Sequence, residues 1–288
     1  MVLANLAMSE VPVIKGVRAP VVLNVENDFR NRLTWARIEG GAGMSPRVVA
    51  GLLKLEAHYL ALIGRAAGVQ FNGWPAWSTY HRHNRKPLLT FDSRISREQL
   101  VTPEAKTEMR RSSREFSFAF SGRWLKQKGF NEALEAHRRV RSRGESIRLH
   151  VFGAGPLALP DNVDASVTVH GAVDFEKEWL ARVTADVDAM LLPYPQSDPA
   201  GTYLEGVSCG GPIVAFDNRQ ASYLADQGLG WTVPVSRVDD LADLMVRVAR
   251  DGTALRVARE KGFAFMQEHS MEREFERRTQ HLVDCAAL

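Results

Sequence analysis

One stretch of the sequence places a carboxylate beside a potential anion site. Gly201 and Thr202 follow a proline-containing loop and open a short predicted helix that runs from Tyr203 to Cys209. The first N–H groups of a helix have no partner within it and favour an anion, so Gly201, Thr202 and Tyr203 are candidate ligands for one. Glu205 lies in the same first turn. Its carboxylate either satisfies the helix dipole or accepts hydrogen bonds from paired sugar hydroxyls such as those of a ribose.

A second stretch offers two cations in one loop. The strand predicted at residues 116–120 ends before Gly122, and a helix with one apolar face begins after Gly129. Arg123 and Lys128 lie in the loop between them. Cations held there can stabilise negative charge on a departing group. By themselves, however, two basic residues are more typical of an ordinary surface loop.

Taken together, the two stretches resemble the donor site of the GT-B, family 4 retaining glycosyltransferases. Gly122 to Gly129 matches the pattern G-R-x(4)-K-G without a gap. Glu205 matches the second acidic residue of the other pattern, which is followed by a small-residue helix and G-x-P-[VI]-[VI]. In that pattern the two acids are eight positions apart. Here the nearest upstream acid is Asp198, seven positions before Glu205, so the spacing is one residue shorter and an Asp replaces a Glu.

The resemblance implies a nucleotide-diphosphate-sugar as the donor substrate, with no cofactor and no metal. It implies a glycan or a lipid-linked molecule as the acceptor and no nucleic acid as a partner. Arg123 and Lys128 would stabilise the departing diphosphate, and Glu205 would complete the catalytic set. The residues implied in donor binding are Gly122, Gly129, Gly153, Gly155, Gly171, Asp198, Gly201, Thr202 and Tyr203.

The turn from Gly153 to Ala158 also fits the dinucleotide pattern G-x-G-x-x-A. Pro156 and Pro160 leave little room for the helix that should receive a pyrophosphate. The next predicted strand, residues 167–170, ends without the acid that a nicotinamide-dependent oxidoreductase needs. The sequence therefore disfavours that enzyme class.

Strands alternate with helices throughout residues 116–268, which predicts a doubly wound parallel sheet. With the resemblance, the expected fold is α/β and GT-B-like, with two Rossmann-like domains of which the first is incomplete. Residues 1–95 would form a partial acceptor-side domain and residues 96–115 a linker. Residues 116–268 would form the nucleotide-sugar domain, and residues 269–288 a helix that returns to the first domain.

The start of the chain departs from the family pattern. About three strands are expected in residues 1–95, and the apolar strand Val21–Val25 is expected to lack an upstream partner. We therefore expect a glycosyltransferase shortened at its amino terminus. Glu26 stands where the family places a His. A non-catalytic nucleotide-sugar-binding or interaction protein is the alternative.

Composition restricts the class and the location of the protein. The chain has 288 residues, 45% of them hydrophobic, and a net charge of +3, which is too small to indicate a nucleic-acid-binding protein. Two cysteines fit a reducing compartment, and no apolar run approaches the ~18 residues of a membrane span. We expect a cytoplasmic protein. Two basic runs, residues 109–114 and 138–143, are read as solvated segments or as peripheral contacts with the inner face of the membrane.

Overall fold

The computed structural model describes residues 1–7, 11–40, 44–109 and 115–287. Within it the chain forms two compact units. Unit 1 comprises Met1–Asp92, Gln196–Pro199 and Met271–Leu288, and unit 2 comprises Ser93–Pro195 and Ala200–Ser270. The basic run predicted at residues 109–114 lies, after its first residue, outside the described residues.

The strands, in chain order, are β1 Val2–Asn5, β2 Val21–Val25, β3 Gly68–Asn72, β4 Pro87–Thr90, β5 Phe116–Ser121, β6 Ile147–Phe152, β7 Val167–Gly171, β8 Ala189–Leu192, β9 Ile213–Phe216 and β10 Gly230–Val233. The α-helices are α1 Val11–Gly16, α2 Phe29–Gly40, α3 Pro46–Arg65, α4 Trp74–Tyr80, α5 Pro103–Met109, α6 Phe130–Ser142, α7 Leu180–Asp186, α8 Thr202–Ser208, α9 Arg219–Asp226, α10 Val238–Arg250, α11 Gly252–Glu268 and α12 Met271–Ala286.

The sheet of unit 1 has the order β1-β2-β3-β4, and its strand pairs are parallel. This corrects the expectation that Val21–Val25 has no upstream partner, because β1 pairs with it in register, Val2 opposite Val21. The strand escaped detection because it lies at the sheet edge with exposed apolar side chains at Val2 and Leu3. The described part of this unit therefore has four strands rather than about three.

The core of unit 1 lies between its sheet and the inner face of α3. All five residues of β3 are buried. Helix α3 begins at a clear cap, where Ser45 accepts a hydrogen bond from the amide of Val48 and Pro46 takes the first helical position. Its buried side chains, Tyr59 and Ile63, are four residues apart and therefore share one helix face.

The sheet of unit 2 has the order β10-β9-β8-β5-β6-β7, again with parallel pairs. Strand β5 lies between β6 and β8, and all of its residues are buried. The chain therefore leaves β5 to one side of the sheet and later returns to its other side. In open parallel sheets such a switch point opens a crevice at the carboxyl ends of the strands, where ligands bind.

The segment predicted as a linker, residues 96–115, contains regular structure where it is described. Helix α5 lies within it and belongs to unit 2. Lys106 of this helix is only 2% exposed and donates through Nζ to the carbonyl oxygens of Val183 and Thr184, at 3.0 and 2.5 Å. These two carbonyls belong to the last turns of α7, where backbone acceptors need partners from outside the helix.

Candidate functional site

Two loops of unit 2 touch backbone to backbone at the carboxyl edge of its sheet. Gly122, after β5, donates its amide to the carbonyl of Phe152 at 3.3 Å. Gly153, after β6, has a φ of 105°, and a Cβ there would lie 2.0 Å from the carbonyl oxygen of Gly122. A Cβ at Gly155 would similarly lie 2.6 Å from the carbonyl oxygen of Trp124. These glycines are needed because only a residue without a side chain permits such an approach.

A third loop, after β8, is held against the first by Gly129. This glycine ends a single 3-10 turn, Lys126–Lys128, in the left-handed conformation with a φ of 64°, and α6 starts directly after it. A Cβ at Gly129 would lie 2.0 Å from the carbonyl oxygen of Pro193. The loops after β5, β6 and β8 thus form one packed group.

Lys128 is almost buried within this group. The residue is 9% exposed, and its ammonium nitrogen lies 4.6 Å from the centre of the Tyr194 ring, within the range of a cation–π contact. Arg123 by contrast is exposed. The structure therefore gives the two predicted cations different environments, one positioned by packing and one able to reach a ligand by rotating its side chain.

Tyr194 connects the cation loop to the helix that carries Glu205. Its hydroxyl donates to the carbonyl of Ser121 at 2.8 Å, and its ring centre lies 5.2 Å from that of Tyr203. Asn218 fixes both tyrosines, because its side-chain nitrogen donates to the carbonyl of Tyr194 at 2.9 Å and to the hydroxyl of Tyr203 at 3.0 Å. The cation loop and helix α8 therefore share one buried scaffold.

Glu205 lies in the first turn of α8 and is only 7% exposed. Its Oε1 accepts a hydrogen bond from Arg94 Nε at 2.7 Å. Burial raises the pKa of Glu205 above its ordinary value, and the hydrogen bond and charge of Arg94 oppose that rise. The Arg94 guanidinium in turn lies 3.5 Å from the centre of the Phe175 ring. The carboxylate is therefore held in one orientation by a cation that is itself held by an aromatic ring.

The remaining predicted residues differ in how they are placed. Thr202 opens α8, and Gly201 precedes it in the helical region with a φ of −54°. Tyr203 corrects one expectation, since its amide donates to the carbonyl of Ala200 at 3.2 Å and is not free for an anion. Gly171 has a φ of 71° and its carbonyl accepts from the amide of Gly153 at 2.7 Å.

Asp198 lies apart from the other predicted site residues. The segment Gln196–Pro199 belongs to unit 1, while the predicted donor residues on either side of it in sequence belong to unit 2. Asp198 donates its amide to Oε1 of Gln196 at 2.6 Å, and its charge acts on Glu26 of unit 1. The pairing of Asp198 with Glu205 in one site is therefore not seen within unit 2.

Sequence reasoning missed Arg94, Tyr194 and Asn218. Arg94 falls in the charged stretch that was read as a domain boundary, and its partner Glu205 is 111 positions away. The proline argument against a dinucleotide site holds, because residues 153–166 form no helix. Among the described residues, no helix is long and apolar enough to cross a bilayer, and no group of three or more His, Cys, Asp or Glu side chains could hold a metal.

Comparison with known proteins connects this site to a family. Residues 115–251 match the family model described as "Glycosyl transferases group 1". A search of curated proteins gave no significant match. The matched region contains β5 to β10 and therefore all of the loops described above.

Solved structures share the fold over nearly the whole chain. Sucrose-phosphate synthase from Thermosynechococcus elongatus is 16% identical, with a TM-score of 0.70 over 96% of this chain and 71% of its own. Anabaena Alr3699/HepE, in complex with UDP and glucose, is 14% identical, with a TM-score of 0.73 over 98% and 78%. TarM of S. aureus is 13% identical, with a TM-score of 0.61 over 97% and 54%. The fold is thus the GT-B fold, and the family match supports a group 1 glycosyltransferase.

Proposed function

We propose that this protein is a retaining glycosyltransferase that transfers a hexose from a nucleotide-diphosphate-sugar to an acceptor hydroxyl. The observation that carries the proposal is the packed group of loops after β5, β6 and β8. It joins a nearly buried lysine to the helix of a nearly buried glutamate through one tyrosine scaffold. A site of this kind at the carboxyl edge of a parallel sheet is where a nucleotide is expected.

In this proposal Glu205 binds the ribose of the donor. A carboxylate accepts hydrogen bonds from two neighbouring hydroxyls in one plane, and hydrogen bonds to a charged group are stronger than those between neutral groups. Arg94 occupies Oε1 from one side and keeps the group ionised. Because helix α8 is buried on nearly all its residues, Glu205 cannot turn away into solvent.

Arg123 and Lys128 act on the diphosphate. During transfer the bond between the anomeric carbon and the phosphate oxygen breaks, and both bonding electrons stay on the departing diphosphate. The acceptor oxygen bonds to the anomeric carbon from the same face, and its proton passes to the departing phosphate. The negative charge that develops is greatest as the bond breaks, so two cations aimed there stabilise the transition state more than the bound donor.

The choice of donor to test first comes from the comparisons. Alr3699/HepE has been crystallised with UDP-glucose and with UDP and glucose. A UDP-hexose is therefore our first candidate for this chain. The base, the sugar and the acceptor all depend on local contacts that fold similarity does not determine.

The test is a thermal-shift screen against UDP-, GDP-, ADP- and dTDP-sugars, followed by product analysis. A donor present at one hundred times its Kd stabilises a protein by about 2.7 kcal/mol, which corresponds to a Tm increase of about 5–10 °C. The anomeric configuration of the product, read by NMR, then reports retention or inversion. A donor that binds but is neither transferred nor hydrolysed would favour the non-catalytic alternative. No shift with any nucleotide-sugar would contradict the proposal.

A further inference from the structure

Unit 1 contains a cavity to which the proposed donor site gives no role. It opens at the carboxyl ends of β1 and β2, beneath α2 and α3, and has a volume of about 530 Å³. Small-molecule sites typically measure about 300–1,000 Å³, and parallel sheets bind ligands at this edge. The cavity therefore has the size and the place of a ligand site.

The walls of this cavity are fixed by buried polar contacts. Arg32 donates to the carbonyl of Asn27 at 2.7 Å, forms an ion pair with Glu56, and lies 4.2 Å from the centre of the Tyr59 ring. The hydroxyl of Tyr59 donates to the carbonyl of Leu6 at 2.8 Å. A cavity with walls fixed in this way loses little conformational entropy when a ligand enters.

One side of the cavity is uncharged and polar apart from a single carboxylate. Asn24 donates through Nδ2 to Oδ1 of Asn5 at 2.9 Å, and its own Oδ1 is buried without a hydrogen-bond partner. Asn27 and Glu26 follow at the end of β2 and also line the cavity. Side-chain amides and a carboxylate suit hydroxyl groups, since a hydroxyl both donates and accepts.

The opposite side is apolar. Trp35, Leu52, Leu55 and Leu6 line it together with the ring of Tyr59. The indole N–H of Trp35 donates to Oε1 of Gln196 at 3.3 Å, which fixes the orientation of its ring. A ligand that fits both sides has hydroxyls at one end and an apolar group at the other.

The charges around Glu26 select against anions. Asp92 and Asp198 lie close enough to raise the pKa of Glu26 further, beyond the larger effect of its burial. One hydrogen bond from Asn72 and the charge of Arg278 oppose them, and Arg278 is itself paired with Asp92 at 3.2 Å. A phosphate or carboxylate on the ligand would therefore meet like charge in a partly desolvated place.

We infer that the unit 1 cavity binds an uncharged glycoside with an apolar substituent, and that this glycoside is the acceptor. The acceptor role rests on the proposed function. The binding of such a glycoside does not, because it depends only on the residues of unit 1.

The experiment compares three probes by calorimetric titration at pH 7.5: hexyl β-glucoside, hexyl β-glucuronide and methyl β-glucoside. Hexyl glucoside should bind at least about tenfold more tightly than the glucuronide, because the latter brings a carboxylate toward Glu26. It should also bind at least about tenfold more tightly than methyl glucoside, which leaves the apolar side empty. In Glu26→Gln the preference over the glucuronide should shrink to about threefold or less. Glu104→Gln, a change at an exposed glutamate of unit 2, should leave all three affinities unchanged.

Each failure has a separate meaning when UDP-glucose binding is measured on the same samples. Equal or tighter binding of the glucuronide overturns the charge selection, and equal binding of methyl glucoside overturns the apolar subsite. If UDP-glucose binds and no glycoside does, the cavity assignment is wrong while the proposed function stands. If hexyl glucoside binds and no nucleotide-sugar does, the cavity is a glycoside site but the acceptor role is refuted together with the proposed function.

Discussion

Glu205→Gln tests the donor site most directly because it removes a charge and keeps a shape. The wild-type carboxylate is 7% exposed and receives the Arg94 guanidinium at 2.7 Å. Glutamine retains the length of the side chain and one carbonyl acceptor. The substitution therefore leaves packing in α8 nearly unchanged and removes only the ionised acceptor.

The expected loss of donor affinity follows from the type of hydrogen bond. A hydrogen bond to a charged group contributes roughly 1.5–3 kcal/mol, which corresponds to a decrease in affinity of about 10- to 150-fold. Stability should behave differently. Burial makes the ionised form costly in the folded protein, and the partner Arg94 is 58% exposed in its side chain, so losing that ion pair costs little. We expect the Tm of Glu205→Gln at pH 7.5 to equal or exceed that of the wild type.

The sign of the pH dependence can be stated from the raised pKa of Glu205. The folded protein holds the proton more tightly than the unfolded chain, so the ionised group destabilises the fold at pH values above its folded pKa. This penalty is relieved as the pH falls through that pKa toward the ordinary value. The wild type should therefore approach the Tm of Glu205→Gln under acidic conditions, and the glutamine variant should lack this contribution.

The assay pairs calorimetric titration of the donor with scanning of Tm against pH. Glu260→Gln is the matched control, because Glu260 also pairs with an arginine, Arg256, at 2.5 Å but on the exposed surface of α11. It should change neither quantity. A folded Glu205→Gln protein with unchanged donor affinity would refute the ribose role. A Tm lowered by several degrees would instead show that Glu205 mainly supports the fold.

Four further predictions concern the same loops. Arg94→Gln should raise the pH at which donor binding is lost, because Glu205 then keeps only the effect of burial on its pKa; titrations between pH 5 and 8 would show an unchanged profile if the ion pair is irrelevant. Lys128→Met should lower kcat by about 10- to 150-fold with a smaller effect on donor Kd, and a loss confined to KM would contradict the leaving-group role. Gly129→Ala should cost roughly 1–3 kcal/mol more than Gly171→Ala in denaturant unfolding, because both have positive φ but only the first has a backbone carbonyl where a Cβ would lie; equal costs would show that the loops do not pack as described. Transfer should persist in the presence of EDTA, and restoration by manganese or magnesium after loss would disprove metal independence.

The strands of unit 2 were predictable because their sequence signals are local. Ile147–Phe152 is an apolar run that ends at a Gly-x-Gly-Pro turn, and β6 has the bounds that this pattern predicts. Helix α2 was not predicted. Its buried face carries Asn31, which is 2% exposed because it bonds to Asp28 and to the amide of Ser197. A helix that buries an asparagine does not show the periodicity of an apolar face.

The site was predictable only to the extent that its residues lie in short motifs. The loop of Lys128 and the helix of Glu205 could each be assigned from neighbouring glycines. Their connection through Tyr194 depends on strand order, since β5 and β8 are neighbours in the sheet but not in sequence. Arg94 could not be assigned to Glu205 for the same reason, because one-dimensional spacing carries no signal for a pair of residues 111 positions apart.

The position of α12 in unit 1 bears on the order in which the chain folds during synthesis. This helix packs so closely on β3 that a Cβ at Gly68 would lie 2.3 Å from the sulfur of Cys285, and Arg278 donates to the side-chain oxygen of Gln70 at 2.9 Å. Domains usually fold in the order in which they leave the ribosome. Here unit 2 has all of its residues once Ser270 has emerged, whereas β3 waits for a helix made at the opposite end of the chain. The sheet that is translated first is therefore the one that is completed last, and until then its apolar surface depends on chaperones for protection.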